Sequence, residues 1–146
     1  MKDLKVVYFN KDNIDIIKFE TLRWNAFSHS GPVIVNNYFK DKIEKGEIMV
    51  VGCYYLDELI AGAYISPNFQ SLYIDELFVR RDFQRNQSHI GTFLMRYILN
   101  HKEEIEKYFN CSFSISRLDN KGAHSFYQSL GYKDENNVMG TMKRKI

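Results

Sequence analysis

The sequence predicts a single mixed α/β domain, and three observations carry that expectation. The chain has 146 residues, a length that favours one domain and can bury a core without disulfide or metal staples. Short runs rich in β-branched and aromatic residues alternate with stretches whose apolar residues recur at helical spacing. Three strand-like runs follow one another in mid-chain, so part of the sheet should be a meander.

The elements follow in order. Leu4–Phe9 (LKVVYF) reads as the first strand. Asp12 or Asn13 can cap a helix running to Phe27, with Ile14, Ile17 and Trp24 near one face. SHSGP at 28–32 has turn chemistry. Val35, Tyr38, Phe39 and Ile43 then recur at helical spacing, with Gly46 as a left-handed stop. Strands follow at 48–55 and 59–66, joined by an acidic turn at 56–58. A turn at Pro67 and Asn68 leads to a strand at Ser71–Val79, with Asp75 and Glu76 at its centre. After the polar stretch 80–89, residues Ile90, Phe93, Leu94, Tyr97, Ile98 and Ile105 mark one long amphipathic helix. CSFSIS at 111–116 is the next strand candidate. A helix begins at Asn120 and carries Ala123, Phe126, Tyr127 and Leu130 on one stripe, capped by Gly131. Residues 138–146 close the chain as a strand, giving the order β-α-α-β-β-β-α-β-α-β.

Composition narrows the functional classes. Twenty basic and eighteen acidic residues leave a net charge of +2, too balanced for a nucleic-acid or polybasic membrane binder. Two cysteines, Cys53 and Cys111, exclude a disulfide scaffold and read as inert thiols in strands. Asn10, Lys11 and Asp12 interrupt the first apolar run, and no stretch reaches the ~20 apolar residues of a membrane span. The expectation is a cytoplasmic protein without nucleic-acid or membrane partners. No His, Cys and carboxylate cluster has metal-ligand spacing, so no metal is expected.

Three stretches ask for more than packing. In 74–94 a strand passes through a polar loop into a helix, whose first N–H groups and positive dipole end suit a pyrophosphate. Ser88 can cap that helix, Gly91 permits close approach, and Arg80, Arg81 and Arg85 add positive charge. In 120–132 a helix carrying Tyr127 begins just after a strand. The third is Asp75-Glu76, adjacent strand residues that should point to opposite faces, so that at most one enters a given cleft.

Together these stretches resemble the GNAT superfamily of N-acetyltransferases across essentially the whole chain. The family pattern V-x-P-x-Y/F-Q/R-R/G-x-G-I-G-x-x-L-L is matched by Val79, Phe83, Gln84, Arg85, Ile90, Gly91, Leu94 and Met95. The later pattern N-x-x-A-x-x-F-Y-x-x-L-G-F/Y is matched by Asn120, Ala123, Phe126, Tyr127, Leu130, Gly131 and Tyr132. Gly62 falls where the family's second hairpin carries a glycine. The phosphate loop departs from the pattern: His89 replaces its first glycine, Gln87 and Ser88 look inserted, and Arg81 replaces the proline. His89 is thereby expected where a positive φ is often needed, which His tolerates better than most residues.

The resemblance implies a central, mostly antiparallel twisted sheet of six to seven strands, splayed after the fourth and flanked by about four helices. It implies acetyl-CoA as co-substrate, its pantetheine arm pairing with Leu77, Phe78 and Val79 like an added strand. Its pyrophosphate would lie over Gln84, Arg85, Ser88, His89, Ile90 and Gly91, with Thr92 and Tyr127 also binding the cofactor and Asn120 contacting it from the fifth-strand side. The implied reaction is direct attack of a primary amine, on a small molecule or on a peptide or protein, with Glu76 or else Asp75 as base. Tyr127 would be the acid that protonates the departing thiolate. The alternative is a catalytically weak GNAT-fold module that binds CoA or a partner protein. Trp24, Phe27 and Tyr38 border the presumed acceptor side, where His29 also lies. The protein is expected as a monomer or homodimer.

Overall fold

The β-branched and aromatic runs build one seven-stranded sheet in the order β1-β2-β3-β4-β5-β7-β6. The strands are β1 (Leu4–Phe9), β2 (Met49–Tyr55), β3 (Glu58–Asn68), β4 (Ser71–Val79), β5 (Ile115–Asp119), β6 (Lys133–Asp134) and β7 (Thr141–Lys145). Among the described residues five α-helices flank it: α1 (Ile16–Ala26), α2 (Asn37–Glu44), α3 (Ile90–Asn100), α4 (Glu103–Phe109) and α5 (His124–Ser129), with a 3₁₀ turn at Arg81–Phe83. The structure is a computed structural model and describes residues 3–27, 30–84, 89–120, 122–135 and 140–146. No helix among them is long and apolar enough to cross a membrane.

The sheet has two halves. β1 to β4 form an antiparallel meander, β5, β7 and β6 an antiparallel trio, and the two meet where β4 runs parallel to β5. One face carries α1 and α2 over a core of Phe19, Leu22, Phe39, Ile43, Tyr64 and Phe78. The other carries α3 and α4, whose Leu94, Met95, Ile98 and Ile105 pack on Val51, Ala63, Ile65 and Leu72. Gly62 separates two aromatic rings on the first face. A Cβ there would stand 2.6 Å from the Phe78 ring and 3.2 Å from Phe19, so glycine lets both rings approach the strand backbone.

The β3–β4 ladder holds a bulge. Tyr64 pairs with Glu76 but Ile65 with Ile74, leaving Asp75 as the extra residue. An extra residue resets the two-residue alternation. Ile74, Leu77 and Val79 therefore pack with the α3 side, whereas Glu76 stands opposite Tyr64 and Phe78 packs with the α1 side.

Several expectations are corrected. The first helix starts at Ile16 under Asp15, whose carboxylate accepts from the Lys18 amide. Asn13 instead closes a turn by accepting from the Asn10 amide at 2.8 Å. Its buried stripe is Phe19, Leu22 and Ala26, and Ile17 is exposed. The second turn lies beyond Pro67 and Asn68, which pair with Leu72 and Ser71. There β3 has outrun β2, so Pro67 has a ladder on one side only. The long helix breaks at His101, whose ring stacks on Tyr97 with centroids 4.1 Å apart. Glu103 and Glu104 then favour a new N-terminus. The fifth strand starts at Ile115 rather than Cys111, because α4 claims the intervening backbone. Glu106 accepts from the Phe113 amide at 2.8 Å and the Lys102 ammonium donates to the Phe113 carbonyl. The last α-helix starts at His124, leaving Asn120 in the preceding loop, and β6 was not anticipated. The final strand begins at Thr141, residues 138–139 lying outside the described residues. Gly46 and Gly131 do take positive φ beyond their helices.

Candidate active site

The site lies where the two halves of the sheet part. β4 pairs with β5 only from Ser71 opposite Ile115 to Ile74 opposite Leu118. Residues 76–79 stay paired with β3, and among the described residues no strand pairs with 77–79 on the other side. This free edge opens on a cavity of about 580 Å³. Leu77, Phe78 and Val79 form one wall, and His89, Ile90, Gly91 and Thr92 at the start of α3 form the next. Ala26 and Phe27 from the end of α1, and Ala123, Phe126 and Tyr127 around α5, complete it.

The mouth of α3 suits an anion. Among the described residues no side chain caps this eleven-residue helix, and its first amides lie at the positive end of the dipole. Gly91 lets Phe126 close in, since a Cβ there would meet the ring at 3.2 Å. His89 precedes the helix at φ 55°, the left-handed conformation expected where the family pattern has glycine. Gln84 also lines the cavity, and its side-chain amide donates to the carbonyls of Ala26 at 2.8 Å and Val79 at 2.6 Å. It ties the end of α1 to the end of β4.

A second, smaller cavity of about 100 Å³ adjoins the first, sharing Phe27, Leu77, Ala123 and Tyr127. Its other lining residues are Ile74, Asp75, Glu76 and Asp119. Both members of the acidic pair line this one cavity, correcting the expectation that alternation would separate them. The bulge at Asp75 is the cause, because it breaks the two-residue period. Asp75 accepts from the Ser66 hydroxyl at 2.6 Å. Asp119 arrives from β5 across the splay and holds the Tyr73 hydroxyl, whose pKa is raised by burial and by that carboxylate.

Tyr127 stands at the junction. Its ring lies between Phe126 and Tyr132, with centroids 5.2 and 6.0 Å away. Burial, with the Glu76 charge adding to it, pushes the phenol up to about 12. It is therefore a protonated donor at neutral pH, set between an apolar groove and three carboxylates.

The remaining anticipated residues fall elsewhere. Asn120 lines neither cavity, and its Oδ1 is buried with no hydrogen-bond partner among the described residues. Arg80 is engaged with Asp82 at 2.8 Å and Glu58 at 3.5 Å and lines neither cavity, nor does Arg81. Trp24 and Tyr38 are also absent from both walls. Arg85, Ser88 and His29 lie outside the described residues. Cys53 is buried, and burial raises its thiol to about 11. Among the described residues no group of three or more His, Cys, Asp or Glu could hold a metal ion. Asp119 was missed by sequence reasoning; its signal was its place just before the Asn120 motif.

Comparison with known proteins places the fold among solved acetyltransferase structures. No curated protein sequence matches the chain. A Pyrococcus horikoshii protein assigned to the acetyltransferases shares 19% identity over 92% of this chain at a TM-score of 0.68, and this chain spans 45% of its length. The ribosomal-protein-S18-alanine N-acetyltransferase of Escherichia coli superposes over 98% of this chain and 94% of its own, with 14% identity and a TM-score of 0.72. A GNAT family acetyltransferase from Elizabethkingia anophelis with acetyl-CoA bound superposes over the full length of both chains, with 13% identity and a TM-score of 0.67. The Acetyltransferase (GNAT) family matches residues 15–132, most of the chain and both walls of the splay, and the protein belongs to that family.

Proposed function

We propose that this GNAT acetyltransferase moves the acetyl group of acetyl-CoA onto a cationic primary amine by direct attack. One observation carries the reading: Tyr127 stands between a groove that fits a thioester arm and a small cavity lined by Asp75, Glu76 and Asp119. The free edge of β4 offers unpaired backbone groups to the pantetheine amides, and the amides opening α3 face the pyrophosphate. The acetyl carbonyl then lies at the boundary of the two cavities.

The acceptor enters the acidic cavity as an ammonium, whose ordinary pKa is ~10.4. Glu76 takes one proton, and the neutral nitrogen attacks the thioester carbon. A backbone N–H of the β4 edge stabilises the oxyanion. Collapse breaks the C–S bond, and the CoA sulfur takes a proton from the Tyr127 hydroxyl. The amide nitrogen loses its second proton to solvent through the acidic cavity, the phenolate recovers one from solvent, and Glu76 releases to solvent the proton it took. The sum is one amide, one thiol and one released proton. Base and acid are each worth roughly 10²–10⁴-fold.

The test follows thiol release from acetyl-CoA against propylamine, spermidine, an aminoglycoside and an alanine-initiated peptide. Turnover is expected for amines, fastest for those carrying further positive charge. Glu76→Gln should lower kcat by ~10²-fold or more. Calorimetric binding of acetyl-CoA without turnover of any amine would instead support a binding module.

A further inference from the structure

The β3–β4 ladder decides which backbone groups the end of β4 presents to the groove. Pairs in an antiparallel ladder alternate between those that exchange hydrogen bonds and those that do not. The Arg80 amide donates to the Ile60 carbonyl at 2.7 Å. One and three residues back, Val79 and Leu77, opposite Ala61 and Ala63, therefore turn their N–H and C=O groups away from β3 and towards the groove they line. The last of these carbonyls, that of Val79, already has a partner. Gln84 follows the 3₁₀ turn at Arg81–Phe83, where the Phe83 amide bonds the Arg80 carbonyl at 2.9 Å and brings the chain back against β4. Its Nε2 donates to the Val79 carbonyl at 2.6 Å and to the Ala26 carbonyl at 2.8 Å. A carboxamide nitrogen has two hydrogens to give, so the side chain keeps no donor for a phosphate.

The second carbonyl belongs to the end of a helix. Ala26 is the last residue of α1, and the carbonyls of a helix's last turn have no partner within it. The next residue, Phe27, lines both the groove and the acidic cavity, and its amide closes the helix on the Arg23 carbonyl at 3.3 Å. Gln84 thus fixes the wall that the two cavities share against the outward-facing end of β4.

We propose that Gln84 is a positioning residue for the transfer step: its carboxamide, bonded to Val79 and Ala26, sets the separation between the donor edge and Phe27 at the acceptor wall. This rests on the reading of the acidic cavity as the acceptor side. It gives the Gln84 side chain a role in aligning amine and thioester rather than in holding the pyrophosphate. Such alignment is sensitive, since a displacement of ~1 Å can cost about 10²-fold in rate. Loss of the carboxamide also frees the Val79 carbonyl for an amide of the arm. Donor binding and transfer should therefore respond in opposite senses.

Gln84→Met keeps the length of the side chain and removes both donors, whereas Gln84→Arg supplies N–H groups again. In Gln84→Met, kcat/KM for propylamine should fall ~10-fold or more, while calorimetric affinity for acetyl-CoA stays equal or rises. Gln84→Arg should recover most of that loss. The loss should also shrink in a Phe27→Ala background, because Gln84 acts through Phe27. Unchanged kcat/KM overturns the proposal, as does weaker acetyl-CoA binding together with slower turnover, or additivity of Gln84→Met and Phe27→Ala. Hydrogen exchange gives a readout without turnover. The Phe27 amide should exchange faster in Gln84→Met than in Gln84→Arg, and equal rates overturn the proposal. That comparison still decides the role of Gln84 where no amine reacts, an outcome that removes the acetyl-transfer reading instead. Where Gln84→Met does not fold, the wild type serves. Its Gln84 carboxamide hydrogens should resist exchange both free and with acetyl-CoA bound, and loss of that protection on binding overturns the proposal.

Discussion

In the proposed reaction Tyr127 gives the thiolate its proton, and the environment of its hydroxyl fixes the sign of its pH behaviour. Burial and the nearby Glu76 both resist the phenolate, so the proton stays on until about pH 12. Tyr127→Phe removes the hydroxyl and keeps the ring against Phe126 and Tyr132. The expected result is a fall in kcat of ~10²-fold or more, with KM for acetyl-CoA changed less than about twofold. Unchanged turnover would remove Tyr127 as the acid. The raised pKa is also a statement about stability. The unfolded phenol ionises near ~10, so stability from this group is complete below that pH and is lost as pH rises through 12. Alkaline unfolding of wild type minus Tyr127→Phe should show that slope between pH 10 and 12. Tyr127 was legible in the sequence because its motif is local, seven matches within thirteen residues. Asp119 was not, because it acquires meaning from Tyr73, a partner on another strand.

At the scale of elements, β4 does most of the positioning. Its bounds were readable from its composition, but the bulge at Asp75 was not, because a bulge is a property of two strands in register. Without it, Glu76 and Asp75 would take opposite faces and the acidic cavity would lose one wall. The same dependence on tertiary context explains the misplaced helix ends. Glu106 and Lys102 hold the backbone around Phe113, and no propensity encodes that. Gly62 tests how closely β4 is supported. Gly62→Ala sets a methyl 2.6 Å from the Phe78 ring, which is buried and also lines the larger cavity. The ring must move, at a cost of about 1–3 kcal/mol. Urea denaturation should show that loss, together with a raised KM for acetyl-CoA. Full stability would mean that Phe78 has space the packing does not show.

At the scale of the molecule, two half-sheets joined over four residue pairs form a fold with a deliberate gap. Ser71 to Ile74 of β4 hold Ile115 to Leu118 of β5, and Arg117 reinforces the joint, bonding the Ser71 hydroxyl and Glu135. Beyond Ile74 the halves diverge, and Leu77 to Val79, which no strand among the described residues pairs on that side, face the groove. An arm lying along that edge supplies the missing ladder and bridges the first half to α5 at once. Such a ligand binds the folded chain alone, so it raises stability by RT ln(1 + [L]/Kd), about 2.7 kcal/mol at a hundredfold excess over Kd. For a chain of this size that corresponds to a rise in Tm of roughly 5–10 °C. Amide exchange distinguishes this bridging from generic stabilisation. The amides of Leu77, Phe78 and Val79 should gain protection beyond the global increase, as should Ile90 to Thr92 at the head of α3. Those of β1, already paired with β2 far from the gap, should follow the global change alone. A Tm unmoved by millimolar acetyl-CoA, or protection spread evenly over the sheet, would show that the gap is not where the arm lies.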